Sequence, residues 1–336
     1  MTTITLGRLL DRAHAGARGK DHERVLTIGI DIGGTKIAGG VVTEDGELLS
    51  PRRTPTPENS AGIEDAVAAM VADLRAEHEV GAVGVAAAGF IDRGRAVVTY
   101  AANLAWRNEP LKERLEKRLE LPVIVENDAN AAGWAEYRFG AGRGVKDLMM
   151  LTIGTGIGGA VIVNGELFRG GFGAAAELGH MRFQRDGLMC GCGQRGCVEQ
   201  YASGRALQRV AGELADAGGI GGGLAAARAA EGSLEGATIS RLVLEGDPGA
   251  LEALRAVSAA LGEACGTFSA AFDPAVFVIG GGVSQLGEVL LAPMREAYHQ
   301  YLPAHGNRPG GDFTIAQLVN DAGVIGVADL AREGSE

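Results

Sequence analysis

Short apolar runs closed by glycine alternate along this chain with stretches of helical spacing. Residues 25–30 form a β-type run ending at Gly33-Gly34, and residues 37–43 read as its return strand. Asp45-Gly46 then turns the chain into a short third strand over residues 47–49, giving a meander. Over residues 61–78, Ile63, Val67, Met70, Val71 and Leu74 recur on one helical face, behind Asn59 or Ser60 as N-cap. Residues 81–88 and 122–125 read as buried strands. Strands and helices in this order predict an α/β unit that ends near Gly144, with Gly140, Gly142 and Gly144 as a hinge.

The opening pattern then returns. Residues 148–153 read as a strand, a glycine turn follows, and residues 160–163 lead to the hairpin signal Asn164-Gly165. After a long loop come helices, among them the apolar run 251–272, and a glycine-rich stretch over 218–223 that predicts a flexible loop. Pro274 precedes a strand over 276–279, which runs into Gly280, Gly281 and Gly282. A helix is expected from Ser284 as N-cap to about residue 302, and the apolar tail 322–331 reads as a closing helix. The nonapeptides 26–34 and 151–159 differ only at the pairs Ile30/Thr155 and Asp31/Gly156. Glycine at a strand end lets backbone N–H groups approach an anion closely, since no Cβ intervenes. Two such turns predict two units gripping one polyphosphate, as in a duplicated phosphotransferase or ATPase.

Composition narrows the class. A chain of 336 residues with 46% hydrophobic residues can fill two cores. A formal charge of −11 and only 5% aromatic residues disfavour nucleic acid and anionic membranes as partners. The longest apolar stretch, 82–91, is too short to span a bilayer. Residues 1–22 are polar, carry Arg8, Arg12, Arg18 and Lys20, and lack a secretion core. The expectation is a cytoplasmic protein with a frayed extension over 1–23. Three of the four cysteines lie within 190–197, which reads as metal binding, while Cys265 reads as core.

Gly154, Gly156 and Gly159 satisfy G-x-G-x-x-G, but strand chemistry follows where a dinucleotide fold needs a helix. Thr35-Lys36 reverses the order a Walker loop requires. A β-hairpin phosphate clamp remains, with Gly33, Gly34, Thr35, Lys36, Gly154, Thr155 and Gly156 as its residues and the two threonines as hydroxyl donors. Asp31 beside it fits a Mg²⁺ site. His180, Cys190, Cys192 and Cys197 make a complete four-ligand zinc set with no vacancy for water, hence a structural one. Glu177 and Glu199 flank it, placed to hold a polyhydroxyl ligand. In Glu126-Asn127-Asp128, after a strand, Asp128 can accept a hydroxyl proton, or Asn127 or Asp128 can cap the next helix.

Together, Asp31-Ile32-Gly33-Gly34-Thr35-Lys36, Glu126-Asn127-Asp128, the glycine run 152–159, Glu177-Leu178-Gly179-His180, the cysteine box with Glu199, and Gly280-Gly281-Gly282-Val283 resemble the ROK family of repressors and sugar kinases. The resemblance runs from about residue 25 to the C-terminus. It implies an actin/hexokinase-like α/β fold of two ribonuclease-H-like domains, with a cleft between them and a structural zinc loop. The domains would be 24–143 plus 322–336 and 144–321, the C-terminal helix crossing back to the first. It also implies ATP- and Mg²⁺-dependent phosphorylation of a hexose 6-hydroxyl by a homodimer or homotetramer. Position by position, Asp128 is similar to the base, and Gly89, Asn103, Asn127, Asp128, Glu177, His180 and Glu199 to the sugar ligands. His180 would bind zinc through its other side. Gly280, Gly281 and Gly282 resemble the adenosine-side turn. Segments 87–92 and 101–110 are similar to actinobacterial-type glucokinases, although Ala102 stands where the family often has proline. Kinases for N-acetylglucosamine, N-acetylmannosamine, fructose or allose share the zinc box. Sugar-sensing repressors carry an N-terminal helix-turn-helix, for which some two dozen residues leave little room. Polyphosphate-using relatives generally lack the cysteine box, which favours ATP.

Overall fold

In a computed structural model, the structure describes residues 26–101, 104 and 106–334. Asn103 and the 1–23 extension therefore lie outside the described residues. β1 (Thr27–Ile32), β2 (Lys36–Val42) and β3 (Leu48–Pro55) form the expected meander, with β3 running well past residue 49. α1 (Ser60–Glu77) buries Ile63, Val67, Met70, Val71 and Leu74, and Asn59 caps it by accepting from the Gly62 N–H. β4 (Ala82–Ala87) follows. A small sheet of β5 (Phe90–Ile91), β6 (Val98–Tyr100) and β7 (Arg107–Glu109) comes next, then α2 (Leu111–Leu119), β8 (Val123–Asn127) and α3 (Asp128–Phe139).

The second half contains β9 (Leu148–Ile153), β10 (Ile157–Val163) and β11 (Glu166–Leu167), then a helical layer. That layer is α4 (Glu199–Ala202), α5 (Gly204–Ala217), α6 (Gly222–Glu231), α7 (Gly236–Leu244) and α8 (Pro248–Phe272). β12 (Val276–Gly280), α9 (Glu288–Tyr301), β13 (Asp312–Ile315) and α10 (Ala322–Glu333) complete the chain. The large sheets have strand orders β3-β2-β1-β4-β8 and β11-β10-β9-β12-β13, with matching parallel and antiparallel pairs. The duplication is real at the level of topology.

Its register is not that of the repeated nonapeptide. Ile32 pairs with Ile37 around a turn of residues 33–36, whereas Ile153 pairs with Ile157 around residues 154–156. Ile32 thus corresponds to Ile153 and Asp31 to Thr152, so the Asp31/Gly156 pairing read from the sequence is corrected. Gly158 and Gly159 sit inside β10 rather than in a turn. Strand pairing fixes the equivalence, and both sequences are equally content four residues apart because glycine fits a turn or a close-packed strand.

Two further expectations change. Residues 218–223 form a 3₁₀ turn and the start of α6 instead of a flexible loop. A Cβ on Gly221 would stand 2.0 Å from the Leu214 carbonyl oxygen, and one on Gly223 1.9 Å from the Asp247 carboxylate. These glycines serve close packing. Ser284 is not the cap of α9. It lies in a 3₁₀ turn (Gly282–Leu286), its hydroxyl donating to the Gly281 carbonyl at 2.7 Å, and Gly287 at φ 58° leads into the helix.

Between the sheets, α3 and α10 pack backbone against backbone. A Cβ on Gly326 would fall 1.8 Å from the Ala131 carbonyl oxygen. Each helix also presses on a sheet. The Val324 and Val327 carbonyl oxygens of α10 stand 2.0 Å from where Cβ atoms on Gly29 (β1) and Gly84 (β4) would be. Gly133 of α3 abuts Ala160 of β10. The α3–α10 contact also carries a buried Trp134 indole N–H donating to Asp329 at 2.9 Å. Gly326→Ala is expected to destabilise by about 1–3 kcal/mol or more through overpacking. Gly212→Ala, with open space around it in α5, gains about 0.8–1 kcal/mol of helix propensity. Urea midpoints for both variants check this, and equal midpoints would refute it.

Candidate active site

Parallel strands β1, β4 and β8 align Asp31, Ala86 and Glu126 in one row at their carboxyl ends, with Ile32, Ala87 and Asn127 in the next. Ligands of open α/β sheets bind at this edge. The chain then turns into α3, and two candidate roles separate cleanly. Asn127 is the cap: its Oδ1 accepts from the Asn130 N–H at 2.9 Å and its Nδ2 donates to the Gly89 carbonyl at 3.1 Å. That leaves Asp128, the first helical residue, for chemistry. The Ala129 N–H donates to Asp128 Oδ1 at 2.9 Å, fixing one oxygen. Gly89 is required where it is, because a Cβ there would lie 2.5 Å from the Tyr100 carbonyl oxygen.

Charge is crowded here. Burial pushes the Asp128 carboxyl up, while the Ala129 N–H pulls it back toward ionisation. Burial, and then the Asp128 charge, push Asp31 up to about 7; Lys36 acts in the opposite direction. Burial also raises Glu177, which feels His180 as a stabilising partner and Asp128 and Glu199 as repelling ones. Asp31, Lys36, Asp128, Glu177, His180 and Glu199 thus share one electrostatic neighbourhood. Lys36, for which the sequence offered no separate role, is the nearby cation.

Glu177 and His180 are brought in by a 3₁₀ turn (Leu178–His180) lying against β10, where a Cβ on Gly179 would meet the Ile157 carbonyl oxygen at 2.5 Å. His180 Nδ1 sits 3.7 Å from Cys190 Sγ, and Cys192 Sγ 3.6 Å from Cys197 Sγ. The four donor atoms all fall within 4.8 Å of one another. Tetrahedral zinc with thiolates at about 2.3 Å separates its sulfurs by about 3.8 Å, so this donor set fits that ion. Burial and the thiol hydrogen bonds of Cys192 and Cys190 push the Cys197 thiol up to about 12; a bound divalent cation reverses this by drawing off protons. Nδ1 faces the sulfurs, which leaves Nε2 on the far side of the ring.

Glu199 does something the sequence did not foretell. Its Oε2 accepts from the Ile157 N–H at 3.0 Å and lies 2.2 Å from where a Cβ on Gly156 would be. Oε1 is 3.8 Å from Cys190 Sγ. One carboxylate therefore joins the cysteine cluster to the second glycine turn, one oxygen to each.

The glycine turns divide the labour. Gly154, Thr155 and Gly282 line a cleft of about 900 Å³ together with Arg205, Gln208 and Ser240. No Cβ would be obstructed at Gly154 or Gly282. Gly280 and Gly281 lie behind: Gly281 has φ 84°, and a Cβ there would be 2.4 Å from the Ile153 carbonyl oxygen. The turn of Gly33, Gly34, Thr35 and Lys36 does not line this cleft. Thr56 braces it, the hydroxyl donating to the Gly33 carbonyl at 2.7 Å and the N–H to the Thr35 carbonyl at 3.0 Å.

Sequence reasoning missed the ion cluster below Asp128. Glu126, only 2% exposed, accepts from Arg169 Nε at 2.7 Å and faces Arg95 Nε at 3.5 Å. Its other oxygen accepts from the Asn127 N–H and the Asn130 amide, both at 3.1 Å. Glu126 stood inside a quoted motif, but partners 31 and 43 positions away leave no local signal.

Asp31 yields a pH prediction. Its carboxyl titrates near 3.8 unfolded and near 7 folded, so the stability it allows is complete below the lower value and is lost as pH rises through the upper one. Asp31→Asn is therefore expected to be more stable than the parent at pH 8, by on the order of 4 kcal/mol, with little difference near pH 4. Melting curves at the two pH values test this, and a variant less stable at pH 8 would contradict it.

The ROK family pattern matches residues 27–334. A glucokinase of Streptomyces coelicolor is 48% identical over 310 residues, which is 92% of this chain and 98% of that protein. An N-acetylmannosamine kinase of Escherichia fergusonii is 35% identical over 314 residues, 92% and 99% of the two chains. The crystal structure of a ROK glucokinase from Streptomyces griseus, in complex with glucose and AMPPNP, superposes with a TM-score of 0.83. It is 49% identical and covers 92% of this chain and 100% of that one. The two-sheet architecture is accordingly the actin/hexokinase-like fold. With the match spanning nearly every described residue and identity sustained over the same length, the chain belongs to the ROK family.

Proposed function

We propose that this protein is a glucokinase, transferring the γ-phosphoryl group of ATP to the 6-hydroxyl of glucose. The observation that carries the reading is Asp128: half-buried, fixed at a helix start, and within electrostatic reach of Asp31 and Glu177. The glucokinases of Streptomyces coelicolor and Streptomyces griseus, at 48% and 49% identity, support it.

The 6-hydroxyl oxygen attacks the γ-phosphorus as the bond to the ADP oxygen breaks, and the hydroxyl proton passes to the Asp128 oxygen not engaged by Ala129. Burial raises the Asp128 carboxyl toward the working pH, which suits a general base. Gly89, Asn103, Asn127, Glu177, His180 and Glu199 would hold the sugar hydroxyls. The 900 Å³ cleft at Gly154, Thr155 and Gly282 would take the nucleotide, with Gly280 and Gly281 shaping its floor. Residues 33–36 would meet the phosphates from the opposite side when the halves, 24–143 with 322–336 and 144–321, close and exclude water. Asp31 would hold the Mg²⁺ that accompanies ATP, which would supply neutralisation of the phosphate charge. Zinc on His180, Cys190, Cys192 and Cys197 would stiffen the loop that presents Glu177 and Glu199. Among the described residues no helix is long and apolar enough to cross a membrane, and a cytoplasmic homo-oligomer is the reading we adopt.

An N-acetylmannosamine kinase is the second reading, favoured by relatives such as that of Escherichia fergusonii. It would differ around the sugar 2-position, where a site built for a hydroxyl rejects a bulkier amide. A coupled assay with glucose, N-acetylmannosamine and N-acetylglucosamine, each with ATP or polyphosphate, separates them; turnover of N-acetylmannosamine alone would overturn the glucokinase reading. Asp128→Asn is expected to lower kcat by roughly 10²–10⁴-fold while calorimetry still detects glucose binding, and near-normal turnover would remove Asp128 from its role. Metal analysis of the purified protein should find one zinc per chain. Cys197→Ser should lose the zinc and weaken both glucose and nucleotide binding, because Glu199 joins the two; full activity without zinc would rule out the structural ion.

A further inference from the structure

Glu136, on the last turn of α3, is 0% exposed and lies far along the helix from Asp128. Four backbone N–H groups converge on this one residue. Its carbonyl accepts from Gly140 at 3.1 Å and Gly142 at 2.9 Å. Its Oε2 accepts from the Ala141 N–H at 2.8 Å and its Oε1 from the Leu318 N–H at 2.7 Å. Residues 140–142 belong to the connection from α3 to β9, and Leu318 to the connection from β13 to α10. These are the two passages of the chain between the large sheets. Glu136 holds both.

The surroundings are shaped around its carboxylate. A Cβ on Gly140 would stand 2.1 Å from Glu136 Oε2, and one on Gly142 2.1 Å from Leu148 Cδ1. Of these two, both read from the sequence as hinge points, Gly140 is bare because the carboxylate occupies the space and Gly142 because the Leu148 side chain does. Gly144, at φ 83° with nothing within 4 Å, is the position with conformational freedom. A carboxylate removed from water is costly unless hydrogen-bonded, and an apolar side chain would have filled the volume. What only a carboxylate supplies is two acceptors on one rigid fork.

We propose that Glu136 is a positioning residue for phosphoryl transfer: it fastens both inter-sheet connections to the helix that begins with Asp128, so the halves close about a fixed pivot. This rests on the kinase reading above. Eight residues of α-helix place Glu136 about 12 Å from Asp128. A tilt of roughly 5° at the pivot then moves the base by about 1 Å, enough to cost on the order of 10²-fold in rate.

Two variants test it from opposite sides of one bond. Glu136→Gln keeps the size but sets an amide donor against one of the two N–H groups. Leu318→Pro deletes the facing N–H at a residue whose φ of −86° is close to that of proline. Each is expected to lower kcat about 10–100-fold with glucose affinity, measured by calorimetry, changed less than about threefold. Small-angle scattering should show a larger radius of gyration without ligand and a smaller decrease on adding glucose. The double variant should be no slower than the worse single one, since both break the same link. Wild-type kcat and compaction in either folded variant would overturn the proposal, as would a parallel loss of kcat and glucose affinity. If Glu136→Gln does not fold, Leu318→Pro decides alone. A parent chain that phosphorylates no hexose would defeat the kinase reading only, and the ligand-free radii of the variants would still decide Glu136.

Discussion

Negative charge gathered away from water is the constraint on which this structure turns. Asp31, Asp128, Glu177 and Glu199 belong to one neighbourhood, and burial raises the first three. Each carboxylate has partial relief nearby: Lys36 for Asp31, the Ala129 N–H for Asp128, His180 for Glu177, the Ile157 N–H for Glu199. The relief is incomplete, and Asp31 is left titrating near neutrality. A site in this condition is poised for cations and hydroxyl donors, because either lowers its energy more than water at a half-buried surface does. Stability is given up where ligands bind, a common exchange at functional sites.

Such a site needs a stiff frame, and the frame is made by backbone contact. Gly29, Gly84, Gly133 and Gly326 let α3 and α10 press on the sheets and on each other with no side chain between them. A polar pair, Trp134 with Asp329, is set into their interface. Asp329 in turn accepts from Arg332 at 2.6 Å, so its charge is matched within the same layer. Glu126 and Glu136 extend the logic: each is a buried carboxylate that ties one half of the chain to the other, the first through Arg169 and the second through the Leu318 N–H.

Much of the candidate site was legible in advance, because local chemistry carried it. The histidine and three cysteines stood out by their close spacing, and the structure gathers their donor atoms within 4.8 Å, as a metal site requires. Asn127 and Asp128 were both eligible as the helix cap, and the hydrogen bond from the Asn130 N–H gave that place to Asn127. Glu199 was visible as a carboxylate beside the zinc box, yet its bond to Ile157 depends on a hairpin 42 residues earlier. The residues lining the 900 Å³ cleft from α5 and α7, Arg205, Gln208 and Ser240, carried no motif.

By itself, then, the sequence determined whatever depends on near neighbours: the apolar face of α1, the strand-turn-strand hairpins, the histidine-cysteine cluster, the acidic residue at a helix start. Period and spacing are local properties, and hydrogen bonds between adjacent residues enforce them. Tertiary structure decided the rest. Strand pairing chose which glycine is a turn and which is a strand, setting Ile32 against Ile37 and Ile153 against Ile157 and displacing the duplication from the visible repeat. Helix packing turned Gly221 and Gly223 from apparent slack into contact. Buried carboxylates acquired meaning only when distant N–H groups and guanidinium groups reached them, because compensation of a desolvated charge is settled by proximity in space and leaves no periodic trace along the chain.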